Sequence, residues 1–151
     1  MGIRLTVDEA WDFVESAHTG VFTTLRTDGV PVSLPVWFVV DDRRIWMQTP
    51  EGSKKVGRVT RDGRSSFVVE SGERWTELKA VSLTGAAEVV SDESTAERAV
   101  SLLTAKYAEF GIPSASVPDA AKKHYARPAV ICFTPDDRLL TWDNAKLRLT
   151  S

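Results

Sequence analysis

The sequence predicts a mainly β fold with peripheral helices, an α+β protein built on one antiparallel sheet closed into a barrel. Three observations lead there. Extended stretches rich in β-branched and aromatic residues follow one another through short turns, the connection that antiparallel pairing allows. Helical periodicity is confined to the start of the chain, a short central segment and one longer segment after residue 91. Six or seven strands leave edges that must be hidden, and closure with helices around the outside hides them.

The elements follow in order. Thr6 and Glu9 form a capping box, and Ala10, Trp11, Val14 and Ala17 recur at helical spacing. A helix over 7–18 is expected, with Gly20 ending it in a left-handed conformation. Residues 21–25 read as a strand, and Thr27-Asp28-Gly29 carries the Asp-Gly hairpin signal. Residues 30–40 form a second extended stretch containing Pro31 and Pro35. Proline cannot donate to a ladder, so this strand needs a free edge or a bulge near Pro35. After the polar turn 41–44 comes a strand over 45–49. Ser53 caps a short helix over 54–62, with Val56 and Val59 as its apolar stripe. Strands over 65–70 and 78–90 follow, the second with Gly85 as the expected bulge or close-approach point. Ser91 or Asp92 caps a helix whose buried face is Ala96, Ala99, Val100, Leu103 and Tyr107. Residues 111–118 read as a loop, 119–125 as a helical turn, and 129–133 and 139–142 as the last two strands.

The 151 residues fit a single domain over 1–151, large enough for a core of its own. A net charge of −2 gives no general attraction to nucleic acid or anionic membrane, so neither is expected as a partner and any anion site must be local. The single cysteine, Cys132, lies in an apolar run and reads as a small buried hydrophobe; a reducing, cytoplasmic setting is expected. No apolar run approaches the ~18 residues of a spanning helix. Five tryptophans are the compositional oddity, suited to packing, to an interface or to the walls of a flat ring pocket.

The sharpest chemical signal is Thr49-x-x-Gly52-Ser53-Lys54-Lys55. A strand ends, a glycine turns the chain and a helix begins at a serine. First-turn N–H groups lack intrahelical partners and lie at the positive end of the helix dipole, which suits a phosphate; Thr49 and Ser53 add hydroxyls, and Lys54 or Lys55 adds charge. A capped surface helix with two solvated lysines is the simpler alternative. The spacing is not that of a triphosphate-binding loop. Pro35, Val36 and Trp37 mark a proline-interrupted strand whose free backbone groups could read the edge of a planar heterocycle, or which simply forms a sheet edge. Lys54, Arg58 and Arg61 share one helix face, open to an anionic tail or to solvent. Two histidines distant in sequence, His18 and His124, and no metal-ligand spacing leave no catalytic side chain to name and no metal site. An enzyme of this kind relies on its cofactor for the chemistry.

Together these residues resemble a known family. Thr24-Leu25-Arg26-Thr27-Asp28-Gly29-Val30-Pro31-x3-Pro35-Val36-Trp37-Phe38, then Trp46, Thr49, Gly52-Ser53-x-Lys55 and Arg61-Asp62-x-Arg64, are similar to the pyridoxamine 5′-phosphate oxidase-like split β-barrels. More narrowly they resemble the small flavin- or deazaflavin-dependent oxidoreductases of that superfamily. Residues 78–90 and Trp142-Asp143-x2-Lys146-Leu147 extend the similarity over roughly residues 7–147. The resemblance implies an antiparallel split barrel of the FMN-binding type, working as a homodimer with cofactor sites in its interface. It implies that backbone around Pro35, Val36 and Trp37 edges the ring, that Thr49, Ser53 and Lys55 hold the phosphate with Lys54 nearby, and that Trp142 lies near the ring from the partner chain. It implies an F420-dependent reductase that passes a hydride to an unsaturated or quinone-like small molecule. FMN is the alternative cofactor, and a non-catalytic cofactor or heme carrier the alternative class. Asp62-Gly63-Arg64 replaces the usual Asp-Pro-Arg, which is expected to loosen that turn. The C-terminal substrate-binding pattern of pyridoxamine phosphate oxidases proper is not seen, which argues against vitamin B6 oxidation.

Overall fold

The computed structural model describes residues 2–111, 118–120 and 128–147. Its elements are α1 (Val7–Ser16), β1 (Gly20–Leu25), β2 (Pro31–Val36), β3 (Val39–Asp41), β4 (Arg44–Pro50), α2 (Lys54–Arg61), β5 (Arg64–Ser71), β6 (Lys79–Val89), α3 (Glu93–Lys106) and β7 (Pro128–Asp143). The seven strands form one antiparallel sheet in the order β2-β1-β5-β6-β7-β4-β3, and α1, α2 and α3 pack on it. Of the helical turn expected over 119–125 only residues 119 and 120 are described, both helical, and most of the 111–118 loop lies outside the described residues.

The order of the strands shows how the sheet is shaped. β2 and β3 are its two edges, yet only Trp37 and Phe38 separate them in the chain. Seven flat strands would put the edges about 29 Å apart, at ~4.8 Å per step. Three peptide steps, from Val36 to Val39, reach about 11 Å at most. The sheet must therefore curl until its edges nearly meet, giving a half-barrel split between β2 and β3. This is the split barrel that the resemblance implies, rather than the fully closed barrel suggested by strand count alone: among the described residues β2 pairs only with β1, and β3 only with β4. Pro31 and Pro35, which have no N–H to donate, lie on the edge strand β2.

Alternation along the strands divides the apolar residues between two clusters. Ile45 and Met47 of β4 and Ile131 and Phe133 of β7 join Phe22, Phe38, Phe67 and Leu83 in the main core, which α1 covers with Ala10, Trp11 and Val14. The alternate residues Trp46, Val130 and Cys132 pack with Ala99, Leu103 and Tyr107 of α3. β4 over 45–47 and β7 over 130–133 are thus buried on both faces, and the run 129–133 shows no polar alternation for that reason.

Several sequence expectations are met closely. Thr6 and Glu9 form the capping box, Ser53 caps α2 and Asp92 caps α3. Gly29 adopts φ 83° in the β1–β2 turn, and the β6–β7 register shifts between Leu83 and Gly85. Others are corrected. α1 stops at Ser16, and Gly20 opens β1 without a positive φ; it is needed because a Cβ there would fall 2.2 Å from the Phe67 ring. The stretch 30–40 is two strands rather than one, divided at the barrel seam. The two expected final strands are one, β7, which continues through the polar run 134–138. Gly85 admits the chain there, facing Pro135, and the Thr84 hydroxyl donates to Asp136 at 2.8 Å. Nor is the turn at Gly63 loose: Gly63 accepts from the Ala87 N–H at 2.7 Å, and a Cβ would meet the Ala87 carbonyl at the same distance.

Candidate cofactor site

Thr49 is the next-to-last residue of β4, and Ser53 precedes α2. The Ser53 N–H donates to the Pro50 carbonyl at 3.0 Å, which folds the connection tightly. The Thr49 hydroxyl donates to Ser53 Oγ at 3.1 Å, and Ser53 Oγ in turn accepts from the Val56 N–H at 3.4 Å. The two hydroxyls predicted to meet a phosphate therefore do converge, at the N-terminus of a helix with two lysines in its first turn. Lys54 is exposed, whereas Lys55 is half-buried. Burial first, and the neighbouring Arg58 second, lower the pKa of Lys55 from that of a free lysine. A nearby anion would oppose both effects.

Thr49 also lines a cleft of about 610 Å³ between the end of β4, α3 and the barrel seam. Trp37, Pro50, Leu103 and Tyr107 supply apolar walls. The rings of Trp37 and Tyr107 are stacked nearly parallel, 4.4 Å apart at 3°, and Trp37 is still 41% exposed. Trp37, backed by the buried Tyr107 ring, thus offers an exposed aromatic ring to one side of this cleft. Of the residues expected to edge a ring, Trp37 lines the cleft, Pro35 is exposed on the edge strand and the Val36 side chain points into the core.

A second concavity of about 680 Å³ lies between α2 and the β1–β2 turn. Arg26, Lys54, Arg58 and Arg61 line it, with Asp28 as the one lining carboxylate, already paired with Arg26 at 2.7 Å. Lys54, Arg58 and Arg61 do share a face, as their spacing predicts. Two of them are not freely solvated: Arg58 Nε donates to Thr24 Oγ1 at 2.7 Å, and Arg61 donates to the Leu25 carbonyl at 3.2 Å. Arg64 is directed elsewhere, to Asp62, whose carboxyl it holds down at about pKa 2.

Sequence reasoning missed Gln48, Thr104 and Arg26 as lining residues. Arg26 reads as a hairpin residue, and only folding brings it opposite α2. Trp142 is not brought to the cleft within this chain: it pairs with Ala80 on β6, while Thr49 pairs with Ala129 at the other end of β7. Cys132 is buried, and burial raises its thiol pKa. Among the described residues no group of His, Cys, Asp and Glu could hold a metal ion, and no helix is long and apolar enough to cross a membrane.

A family model described as pyridoxamine 5′-phosphate oxidase matches residues 6–141. The chain belongs to that family. A conserved hypothetical protein of Mycobacterium tuberculosis is similar at 27% identity, with a TM-score of 0.79 over 97% of this chain and 91% of that one. An FAD-binding protein of Mycobacterium smegmatis shares the fold at 22% identity and TM-score 0.63, covering 91% and 94% of the two chains. HutZ, the heme storage protein of Vibrio cholerae, shares it at 12% identity and TM-score 0.70, covering 94% and 96%. The sequence matches none of the curated proteins.

Proposed function

We propose that this family member is an oxidoreductase that holds the deazaflavin F420 and acts on an unsaturated or quinone-like small molecule. The observation that carries this reading is the placement of Thr49. Its hydroxyl meets Ser53 at the head of α2, it lines the aromatic cleft, and Lys54 of the same helix lines the basic groove. A ligand with a flat ring, a phosphate and an acidic tail matches that sequence of surfaces. When bound, such a cofactor supplies the hydride.

The chain's own residues bind and orient. Thr49 donates to Ser53 and so leaves the Ser53 hydroxyl, with the Lys54 and Lys55 N–H groups, to donate to a phosphate, and Lys55 adds a charge whose burial makes it responsive to an anion. Trp37 and Tyr107 offer a flat wall that excludes water from one side of a ring. Arg58 and Arg61, with Lys54, give the groove its positive field. Backbone at Pro35 and Val36 and the Trp142 side chain complete the site in this reading, Trp142 from the partner of a homodimer.

FMN is the second reading. It is favoured by the contacts of Arg58 and Arg61 with β1, which give both guanidinium groups a structural use without any tail. Native mass spectrometry with FMN and F420 in separate samples distinguishes the two. The expected result is a species of about twice 16.7 kDa that retains F420. Retention of FMN alone replaces the deazaflavin reading with the flavin one. A monomer that binds tightly removes the interface site, and binding of neither cofactor refutes the proposal.

A further inference from the structure

Two consecutive residues at the end of α3 hold the short link that joins the two edges of the half-barrel. Lys106 Nζ donates to the Ala17 carbonyl, just after α1, and to the Phe38 carbonyl, each at 2.8 Å. The same ammonium sits 4.0 Å from the Phe38 ring centroid and 5.1 Å from that of Tyr107. The Tyr107 hydroxyl accepts from the Phe38 N–H at 2.8 Å and lies within donating distance of the carbonyls of His18 and Phe38, at 2.8 and 2.9 Å. Trp37, next to Phe38 in the link, stacks on Tyr107, and the His18 ring meets both edge-on.

We propose that Lys106 is a positioning residue for the cleft: with the Tyr107 hydroxyl it fixes the Trp37–Phe38 link, and so sets the aromatic wall that Trp37 and Tyr107 present. This holds whatever the cleft binds, and it goes beyond the cofactor reading.

The chemistry of the contacts explains why a lysine stands here. An apolar side chain could fill the space between α1, the seam and α3, but it could not bind two carbonyls from separate segments. The ammonium does so with charge-assisted bonds and adds attraction to the Phe38 ring. The groups facing it are the Glu15 carboxylate, His18 and Tyr107, together with the two carbonyls. Burial pushes its pKa down to about 8 against the opposing pull of Glu15. Above that pH the neutral amine keeps N–H donors but loses the charge assistance and the cation–π attraction, so the wall loosens.

Global stability moves the other way. The folded lysine releases its proton at about 8, whereas the unfolded one holds it to 10.5, so the unfolded state binds more protons in that window and stability rises with pH there. Loosening of the wall without loss of stability separates positioning from general fraying.

The test is 19F NMR of the full unliganded chain labelled with 5-fluorotryptophan, with Trp37→Phe identifying the Trp37 resonance. That resonance is expected to shift with a midpoint near pH 8 in the parent and to stay flat between about pH 7 and 10 in Lys106→Arg, whose guanidinium stays charged. In Lys106→Met it is expected to sit near the parent's high-pH position already at about pH 7. A parent-like titration in Lys106→Arg, or a parent-like Trp37 resonance in Lys106→Met at neutral pH, overturns the proposal. If Lys106→Met does not fold, the parent and Lys106→Arg titrations decide it.

Discussion

Charge reversal in the basic groove tests the cofactor assignment most directly, and the structure decides which arginine to reverse. Arg58 is unsuitable because its Nε donates to Thr24, whose hydroxyl sits in a residue only 1% exposed. Removing that donor would leave a buried hydroxyl unsatisfied, at a cost of about 1–3 kcal/mol, and would confuse folding with binding. Lys54 is unsuitable because it stands beside Ser53, where the proposed phosphate would sit, and its reversal would affect both cofactors. Arg61 is exposed, lines the groove at the end of α2 away from Ser53, and donates to the carbonyl of Leu25 at the end of β1 in a solvent-exposed hydrogen bond. An exposed ion pair contributes about 0.2–1 kcal/mol, and Arg61→Glu replaces that attraction with repulsion of similar size, for a total of about 0.4–2 kcal/mol. F420 affinity should therefore fall roughly 2- to 30-fold, while FMN, which ends at its phosphate, should change by less than about twofold. The effect should shrink when salt rises from about 0.01 M to 0.1 M, as the screening length drops from about 30 Å to about 10 Å. Fluorescence titration of each cofactor at both salt concentrations measures this. Equal responses of F420 and FMN, or an F420 affinity indifferent to the reversal, would show that no acidic tail lies in the groove.

Three further outcomes are expected, two at the site and one in the sheet. Lys55→Ala should weaken binding of either phosphorylated cofactor by about 1.5–3 kcal/mol, roughly ten- to over a hundredfold, measured by the same titration. Because burial and Arg58 lower the pKa of Lys55, affinity in the parent should decline as pH rises through a range below that of a free lysine, and Lys55→Ala should lack this decline. Gly85→Ala places a Cβ 2.2 Å from the Thr134 carbonyl, against backbone that cannot swing aside. Overpacking of about 1–3 kcal/mol should lower the melting temperature by roughly 3–10 °C in a chain of this size, read by calorimetry. An unchanged melting temperature would mean that β7 does not approach Gly85 so closely.

Much of this protein is legible in the sequence because much of it is local. The Thr6–Glu9 box, the Ser53 and Asp92 caps and the Gly29 turn are decided by residues within three or four positions of one another. The convergence of Thr49 and Ser53 is local too, since only Pro50, Glu51 and Gly52 separate them. Alternation placed most strands, and the uninterrupted apolar run at 129–133 is consistent with burial on both faces.

What the sequence could not decide depends on segments far apart in the chain. The polar run 134–138 looks like a turn until Gly85 and Thr84 on β6 hold it in the sheet. Gly20 looks like a helix terminator until the Phe67 ring occupies the place of its Cβ. Arg26 joins the basic groove only because the hairpin folds against α2, and Lys106 reaches Ala17 across 89 positions. The split itself has the same origin. Residues 37 and 38 read as the middle of one strand, and they become a seam because a seven-stranded sheet must curl to bring its two edges within reach of so short a link. Local propensity fixes where elements begin and turn, whereas close packing between distant strands fixes which of them continue, which break and which side chains share a cleft.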